Sequence, residues 1–250
     1  MKKLQTKALC KSYDQKEIIK NVSIHINEGE IVSLLGISGV GKTTLFNILS
    51  GVEKPDSGEV ILNSDIITGI TGKVSYMQQK DLMMPYKTIL DNVALPLVIK
   101  GTKKKEARER ARGYFKIFGL EGTENQYPSQ LSGGMKQRAA FLRAYLFSKE
   151  IMLLDEPFSA LDTITKSSIH GWYLEMMQKV KTSTLFITHD IDEAIYLSDR
   201  IYILSGKPGQ VSKELEIRGA KPRQEDFNVS DTFINYKRQI IEHIKETSDF

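Results

Sequence analysis

The sequence predicts an α/β fold: a largely parallel sheet with helices between its strands and a helical lobe inserted into it. Three observations carry this expectation. An apolar run, Ile31 to Leu35, enters a glycine-rich turn and then a helical pattern, KTTLFNILSG, that stops at Gly51 as a C-cap. From about Thr88 to Phe147 the periodicity is helical, with Ala, Glu, Lys and Arg on one side and Leu, Ile and Phe on the other. From Ile151 short apolar runs alternate again with a helical pattern, which suits parallel strands joined by helices.

Taken in order, two apolar β-branched segments, Asn21 to Ile26 and Ile31 to Leu35, flank the turn NEGE and are expected as adjacent short strands. Further strands are expected near Glu59 to Leu62 and Lys73 to Met77. The unbroken apolar run Ile151 to Leu154 is what a strand covered on both faces requires. A helix around Thr165 to Lys179 and the strands TLFIT and RIYIL follow. After Gly206 a proline-rich connection leads to a helix with Phe233, Tyr236, Ile240, Ile241 and Ile244 on one packing stripe.

Composition narrows the function classes. The 250 residues, 40% hydrophobic, suit one large α/β domain or one domain with an inserted lobe. No run of about 18 apolar residues occurs, so any membrane role is borrowed from a partner. The start, MKKLQTKALCKSYD, combines basic residues with a cysteine. Its apolar stretch, interrupted by Gln5, Thr6 and Lys7, falls short of the roughly 7–15 residues of a signal-peptide core. The single cysteine, Cys10, excludes an internal disulfide and reads as a small buried apolar residue. A net charge of +4 is too mild for a nucleic-acid binder. The basic run from Lys100 to Arg112 alternates with Glu106 and Glu109 as a solvated helix face would.

The chemistry concentrates in three places. GISGVGKT (Gly36, Ile37, Ser38, Gly39, Val40, Gly41, Lys42, Thr43) satisfies GxxxxGK[ST] between a predicted strand and helix, the setting of a phosphate-binding loop. Its backbone N–H groups and helix N-terminus suit phosphate oxygens; Lys42 would reach the β- and γ-phosphates and Thr43 would offer its hydroxyl to Mg²⁺. In IMLLDEP, Asp155 ends a buried strand where a carboxylate can hold Mg²⁺, and Glu156 is suited to accept a proton from an attacking water. These two motifs alone fit kinases, helicases and GTPases equally well. The third, Ser132-Gly133-Gly134 in LSGGMKQR, reads as a hydroxyl-capped helix start and so as a second anion site.

Leu131 to Arg138 resembles the signature sequence of ABC (ATP-binding cassette) proteins, and the minor motifs fall in that family's order over nearly the whole chain. The resemblance implies a P-loop NTPase fold of the ABC ATPase type, with a mixed-sheet core, an antiparallel β subdomain and an inserted helical subdomain. The RecA-like core and β subdomain are then expected at about 1–86 and 148–205, the helical subdomain at 87–147 and a C-terminal extension at 206–250. By the same resemblance Tyr13 stacks on adenine, and Thr44 joins the nucleotide contacts. Gln79, rather than its neighbour Gln78, is the Q-loop glutamine beside Mg²⁺. Asp162, in SALD, belongs to the D-loop, and His189, in FITHD, is the switch histidine at the γ-phosphate.

The family's working unit is a head-to-tail dimer, with each ATP held between Gly36–Thr43 of one copy and Ser132–Gly134 of the other. Membrane permease subunits dock beside the Q-loop, here around Gln79 to Asp91. The expected location is therefore the cytoplasmic side of the membrane. QKDLMMPYKTILDNVALPL, YPSQLSGGMKQRAAFLRAY and ILSGKPGQVSKELEI with Lys221-Pro222-Arg223 resemble ATPases of nitrate, sulfonate and taurine importers. That implies an extracytoplasmic solute-binding protein as a further partner, with small anions or thiamine-precursor-like compounds as cargo. The motor of an exporter and a soluble ABC ATPase acting in cofactor assembly are the alternatives.

Overall fold

A computed structural model of the chain describes residues 1–219, 223 and 225–247. Along the chain, β1 (Lys2–Tyr13), β2 (Lys16–Val22) and β3 (His25–Asn27) precede β4 (Ile31–Leu35) and α1 (Lys42–Leu49). Then come β5 (Ser57–Leu62), β6 (Asp65–Ile66), β7 (Ser75–Met77), α2 (Ile89–Ile99), α3 (Lys104–Arg112) and α4 (Gly133–Phe147). The remainder carries β8 (Ile151–Asp155), α5 (Thr163–Val180), β9 (Ser183–Thr188), α6 (Ile191–Leu197), β10 (Arg200–Ser205), β11 (Gln210–Glu216) and α7 (Asp231–Thr247).

The central sheet runs β11-β10-β4-β9-β8-β7; its strands are parallel except β11, which returns antiparallel to β10. A second, antiparallel sheet runs β2-β1-β5-β6, with β3 also paired to β1. Alternate residues of the central strands enter different cores. Ile31, Leu35, Met152, Leu154, Phe186, Ile201 and Ile203 pack with the helices α2 and α4 to α7. Val32, Leu34, Ile151, Leu153, Leu185, Ile187 and Tyr202 pack with α1 and the antiparallel sheet. Covering on both sides is why β4 and β9 are buried at every position, and why their sequences carry continuous apolar or small residues rather than an alternation.

The helical insertion is held to this sheet by aromatic packing. Phe141 of α4 lies 5.8 Å from Phe158, 5.3 Å from Tyr173 and 5.7 Å from Trp172, centroid to centroid. Thr88 caps α2 by accepting from the Asp91 N–H at 3.2 Å. The basic run forms α3, which turns Ala107 and Ala111 inward and pairs Arg108 Nε with Asp91 at 3.2 Å.

Several sequence expectations need correction. The segment 21–26 is not one strand: Asn21 takes φ +52°, β2 ends at Val22 and β3 begins at His25. The 88–147 stretch is not continuously helical; α2 stops before Gly101, α3 before Gly113, and turns lead through Pro128–Gln130 to α4. β1 and β11 are unanticipated strands, since β1 is rich in lysine and β11 is polar, exposing Gln210, Ser212, Glu214 and Glu216 and burying none of its residues fully. Cys10 is only half-buried. Register shifts on both sides of it, with Ala8 at φ +48°, break the inward alternation, and its Sγ accepts from the Asn21 N–H at 3.3 Å. The C-terminal helix buries Phe233 and Ile240 and half-buries Tyr236, Ile241 and Ile244. Lys221 and Pro222 lie outside the described residues.

Because Phe141 is fully buried among three aromatic rings, Phe141→Ala is expected to destabilise the fold by about 3–5 kcal/mol, read as a lowered urea midpoint.

Candidate functional site

In the central sheet, β4, β7, β8 and β9 are parallel and adjacent in the order β4-β9-β8-β7. Their C-terminal ends therefore emerge along one edge of the sheet, the edge at which α/β proteins hold ligands. From β4 issues the loop Gly36 to Gly41, from β7 Gln78 and Gln79, from β8 Asp155 and Glu156, and from β9 His189.

The loop after β4 is shaped by backbone geometry. Gly41 sits at φ +102°, and a Cβ there would meet Ile19 Cγ2 at 2.5 Å, so this position admits glycine alone. Lys42, the first residue of α1, is buried, and its Nζ donates back to the carbonyls of Gly36 at 2.6 Å and Ile37 at 2.9 Å. Burial lowers the pKa of this ammonium, opposed by the charges of Glu156 and Asp155. Ile37, Ser38, Gly39 and Thr43 are exposed, Val40 is buried and Thr44 half-buried. The antiparallel sheet brings Tyr13, 42% exposed, close to Thr44 and Glu53, and the Lys11 ammonium lies 5.4 Å from its ring centroid. Burial first, and then Glu53, raises the pKa of the Tyr13 phenol.

Glu156 is the junction of the site. It adopts φ +44°, a left-handed conformation costly for a residue with a Cβ. Its backbone N–H donates to Ile187 O at 3.1 Å. Its carboxylate is engaged on both oxygens, Oε1 with His189 Nδ1 at 3.1 Å and Oε2 with Gln79 Nε2 at 3.1 Å. An ionised carboxylate only accepts, so in this contact His189 Nδ1 carries the proton. Gln79 also donates to Ser159 Oγ at 3.3 Å; it and its neighbour Gln78 are both exposed.

Asp155, half-buried beside Glu156, accepts from the Tyr76 hydroxyl at 3.3 Å. Burial raises its pKa and the neighbouring Glu156 adds to the rise, while the Tyr76 bond and Lys42 oppose it. Tyr76 is itself pushed up, by burial first and then by the charge of Asp155. Tyr76 is a site residue that sequence reasoning missed, because an aromatic one residue inside a strand end carries no sign of which polar group its hydroxyl will meet.

The second anion-site candidate starts α4. Ser132 caps it, accepting from the Met135 N–H at 3.3 Å, with Gly133 and Gly134 in the first turn. Gly133 shares a cleft with Gln79, Asp81, Lys136, Ser159 and Leu161. Gln137, also missed from the sequence, donates to the Pro157 carbonyl and so joins α4 to the residue after Glu156. Asp162 caps α5, accepting from the Thr165 N–H at 3.0 Å.

Two further features bear on the site. Gly209, in the β10–β11 turn, packs so tightly on the β4 loop that a Cβ would lie 2.0 Å from Val40 O. An apolar groove opens between the sheet and the helical insertion, lined by Val52, Leu82, Leu95, Ile99, Arg143 and Phe147 among others. Arg143 of α4 closes one side by donating to the carbonyls of Asp81 and, at 2.9 Å, Leu82. Among the described residues, no helix is long and apolar enough to cross a membrane.

Comparison with known proteins gives this geometry its family. A family model described as ABC transporter matches residues 19–159. The formylaminopyrimidine import ATP-binding protein ThiZ of Halalkalibacterium halodurans is 48% identical over 200 residues, 80% of this chain and 78% of that protein. The aliphatic sulfonates import ATP-binding protein SsuB of Bacillus cereus is 35% identical over 96% of this chain and 93% of its own length. Among solved structures, the dimeric post-hydrolysis state of the ATP-binding cassette MJ0796 bound to ADP and Pi superposes with a TM-score of 0.72. It is 34% identical, over 87% of this chain and all of that one. The chain thus belongs to the ABC transporter family and is one of its ATP-hydrolysing cassettes.

Proposed function

We propose that this chain is the motor of a solute importer, hydrolysing ATP as a head-to-tail dimer on the cytoplasmic face of separate permease subunits. The observation that carries the reading is the contact of Glu156 with both His189 and Gln79 beside the buried Lys42. In this reading the N–H groups of 36–44 and the Lys42 ammonium bind the β- and γ-phosphates. Phosphate oxygens are better acceptors for a cation than the carbonyls of Gly36 and Ile37. Tyr13 stacks on the base, and its partial exposure suits that use.

The donor set suits Mg²⁺: the Thr43 hydroxyl, the Asp155 carboxylate and the Oε1 of Gln79 are hard oxygen ligands. A carboxylate whose pKa is raised by burial gains from a nearby cation, which favours its ionised form. When bound, the ion supplies charge neutralisation at the phosphates. Glu156 orients the water and takes its proton, its own position fixed by Gln79 and His189. His189, 60% exposed in its side chain, is free to turn toward the γ-phosphate.

Ser132, Gly133 and Gly134 meet the γ-phosphate held by the partner copy, and Asp162 lies at the same contact between copies. The domain division at about 1–86 with 148–205, 87–147 and 206–250 is part of this reading: the helical part carries the second anion site, and its groove receives the permease. The apolar lining of that groove, next to the segment that begins at Gln79, supports the docking. An extracytoplasmic solute-binding protein completes the importer. Cargo resembling a formylaminopyrimidine is favoured by the ThiZ relative at 48% identity over the sulfonate relative at 35%.

Glu156→Gln is expected to retain ATP affinity and to lower steady-state hydrolysis at least about a hundredfold, at the low end of what loss of a positioned acid–base group costs. It should accumulate as an ATP-bound dimer in size-exclusion chromatography, and normal turnover would remove Glu156 from its role. Lys42→Ala should weaken nucleotide binding by about tenfold or more, since a charge-assisted phosphate contact of at least about 1.4 kcal/mol is lost; titration calorimetry reads it directly. Gly209→Ala, which drives a methyl into Val40 O, should raise the nucleotide Kd several-fold while leaving the residues at Glu156 untouched.

A further inference from the structure

The residues on either side of His189 are pinned by a buried charged cluster that reaches the start of α5. Thr188 Oγ1 donates to Glu193 Oε2 at 2.6 Å and accepts from the Asp190 N–H at 3.0 Å. Asp190 in turn caps α6, accepting from the N–H groups of Asp192 and Glu193. The His189 backbone thus has a fixed anchor before it and another after it, while its own side chain stays accessible. The keystone is Glu193, whose side chain is 4% exposed.

A carboxylate this buried needs a counter-charge, and α5 provides it. Lys166 Nζ lies 3.1 Å from Glu193 Oε1 and 3.6 Å from Asp190 Oδ2, and His170 Nε2, one turn further on, is 3.5 Å from Glu193 Oε1. Lys166 is also tied to the cap through its backbone, its N–H donating to Asp162 O at 2.8 Å next to the Thr165 N–H that the Asp162 side chain accepts. One side chain therefore spans from the Asp162 end of α5 to both anchors of His189. Helix α5 is a rigid body over this single turn, so displacement of Asp162 carries Lys166 with it. Glu193 and Asp190 must follow or lose their counter-charge.

We propose that Lys166 is a positioning residue that couples the Asp162 turn to His189, so that contacts made at Asp162 set whether His189 stands correctly for hydrolysis. This rests on the role given above to His189. It assigns a task to two residues, Lys166 and Glu193, that lie outside the phosphate loop and the signature helix. Lys166 acts through charge: it neutralises two carboxylates that otherwise repel each other across the loop. Arginine can replace it, and an uncharged chain of the same length cannot.

The test is steady-state ATP hydrolysis by the full-length protein carrying Lys166→Met or Lys166→Arg, each made with His189 present and with His189→Ala. Lys166→Met is expected to lower kcat about tenfold with KM for ATP within about twofold, and Lys166→Arg to stay within about twofold of the parent. In the His189→Ala background, Lys166→Met should cost less than about twofold more, because residues acting through one another are not additive. Should Lys166→Met fold poorly, Glu193→Gln, which keeps an acceptor for Thr188, should give the same split. Unchanged kcat in Lys166→Met beside a loss in His189→Ala overturns the coupling alone. Equal losses from Lys166→Met in both backgrounds also overturn it, since a merely structural residue behaves that way. A normal kcat in His189→Ala overturns the underlying role of His189 and this inference with it.

Discussion

Glu156 holds its carboxylate between Gln79 and His189, and that contact imposes a condition on three neighbouring strands at once. Gln79 follows β7, Glu156 follows β8 and His189 follows β9, so the three side chains meet only if the register is held across both pairs. The ladder supplies this: Met77 lies opposite Leu154, and Asp155 opposite Ile187. A slip of one residue in β8 would turn Asp155 and Glu156 to the opposite faces. Such a slip is opposed by the two cores, since Ile151 and Leu153 would exchange sides with Met152 and Leu154. The cost of holding Glu156 at φ +44° is met by the same packing.

Much of this was legible because it is local. The glycine loop after β4, the Asp155-Glu156 pair at the end of β8 and the Ser132-capped start of α4 are each contiguous, and the local backbone of each follows from a few adjacent residues. The parallel strands were legible for a related reason: β4, β8 and β9 are covered on both faces and must be apolar or small throughout. What escaped detection is non-local or amphipathic by accident. β1 buries only part of one face, interrupts its alternation with register shifts and carries four lysines, so no period of two survives in its sequence. Tyr76 and Gln137 make side-chain contacts across 79 and 20 residues, and no spacing rule links them to Asp155 or Pro157. Helix breaks inside 88–147 were signalled only by the glycines at 101, 113, 119 and 122, in a composition that otherwise stays helical.

The same sheet edge is gripped from outside by elements that contribute no chemistry. The β10–β11 turn backs the phosphate loop through Gly209 and also bridges to β2, where the Lys20 N–H donates to Gly209 O and the Gly209 N–H to Ile18 O. The antiparallel sheet is thereby joined to the central one next to Val40, and Tyr13 and the loop are set relative to each other by a shared support. On the other flank, Gln137 of α4 reaches Pro157, and Arg143 reaches the carbonyls after Gln79.

These attachments differ in kind. Around the phosphate loop the contacts are backbone against backbone at close approach, which leaves no slack: a Cβ at Gly36 would come within 2.6 Å of Leu204 O. Between α4 and the Glu156 region they combine a side-chain bond from Gln137 with the packing of Phe141 on Phe158. The aromatic cluster about Phe141, tilted and edge-on rings 5 to 6 Å apart, seats the insertion on Phe158, Trp172 and Tyr173 in specific ring geometries. The helical insertion is thus joined to the site through Gln137 and Arg143, and the phosphate loop through its backbone. The Gln137 bond ends on Pro157, one residue from the strained Glu156, and the Arg143 bonds end on the segment that begins with Gln79, so both attachments converge on the carboxylate and its glutamine partner.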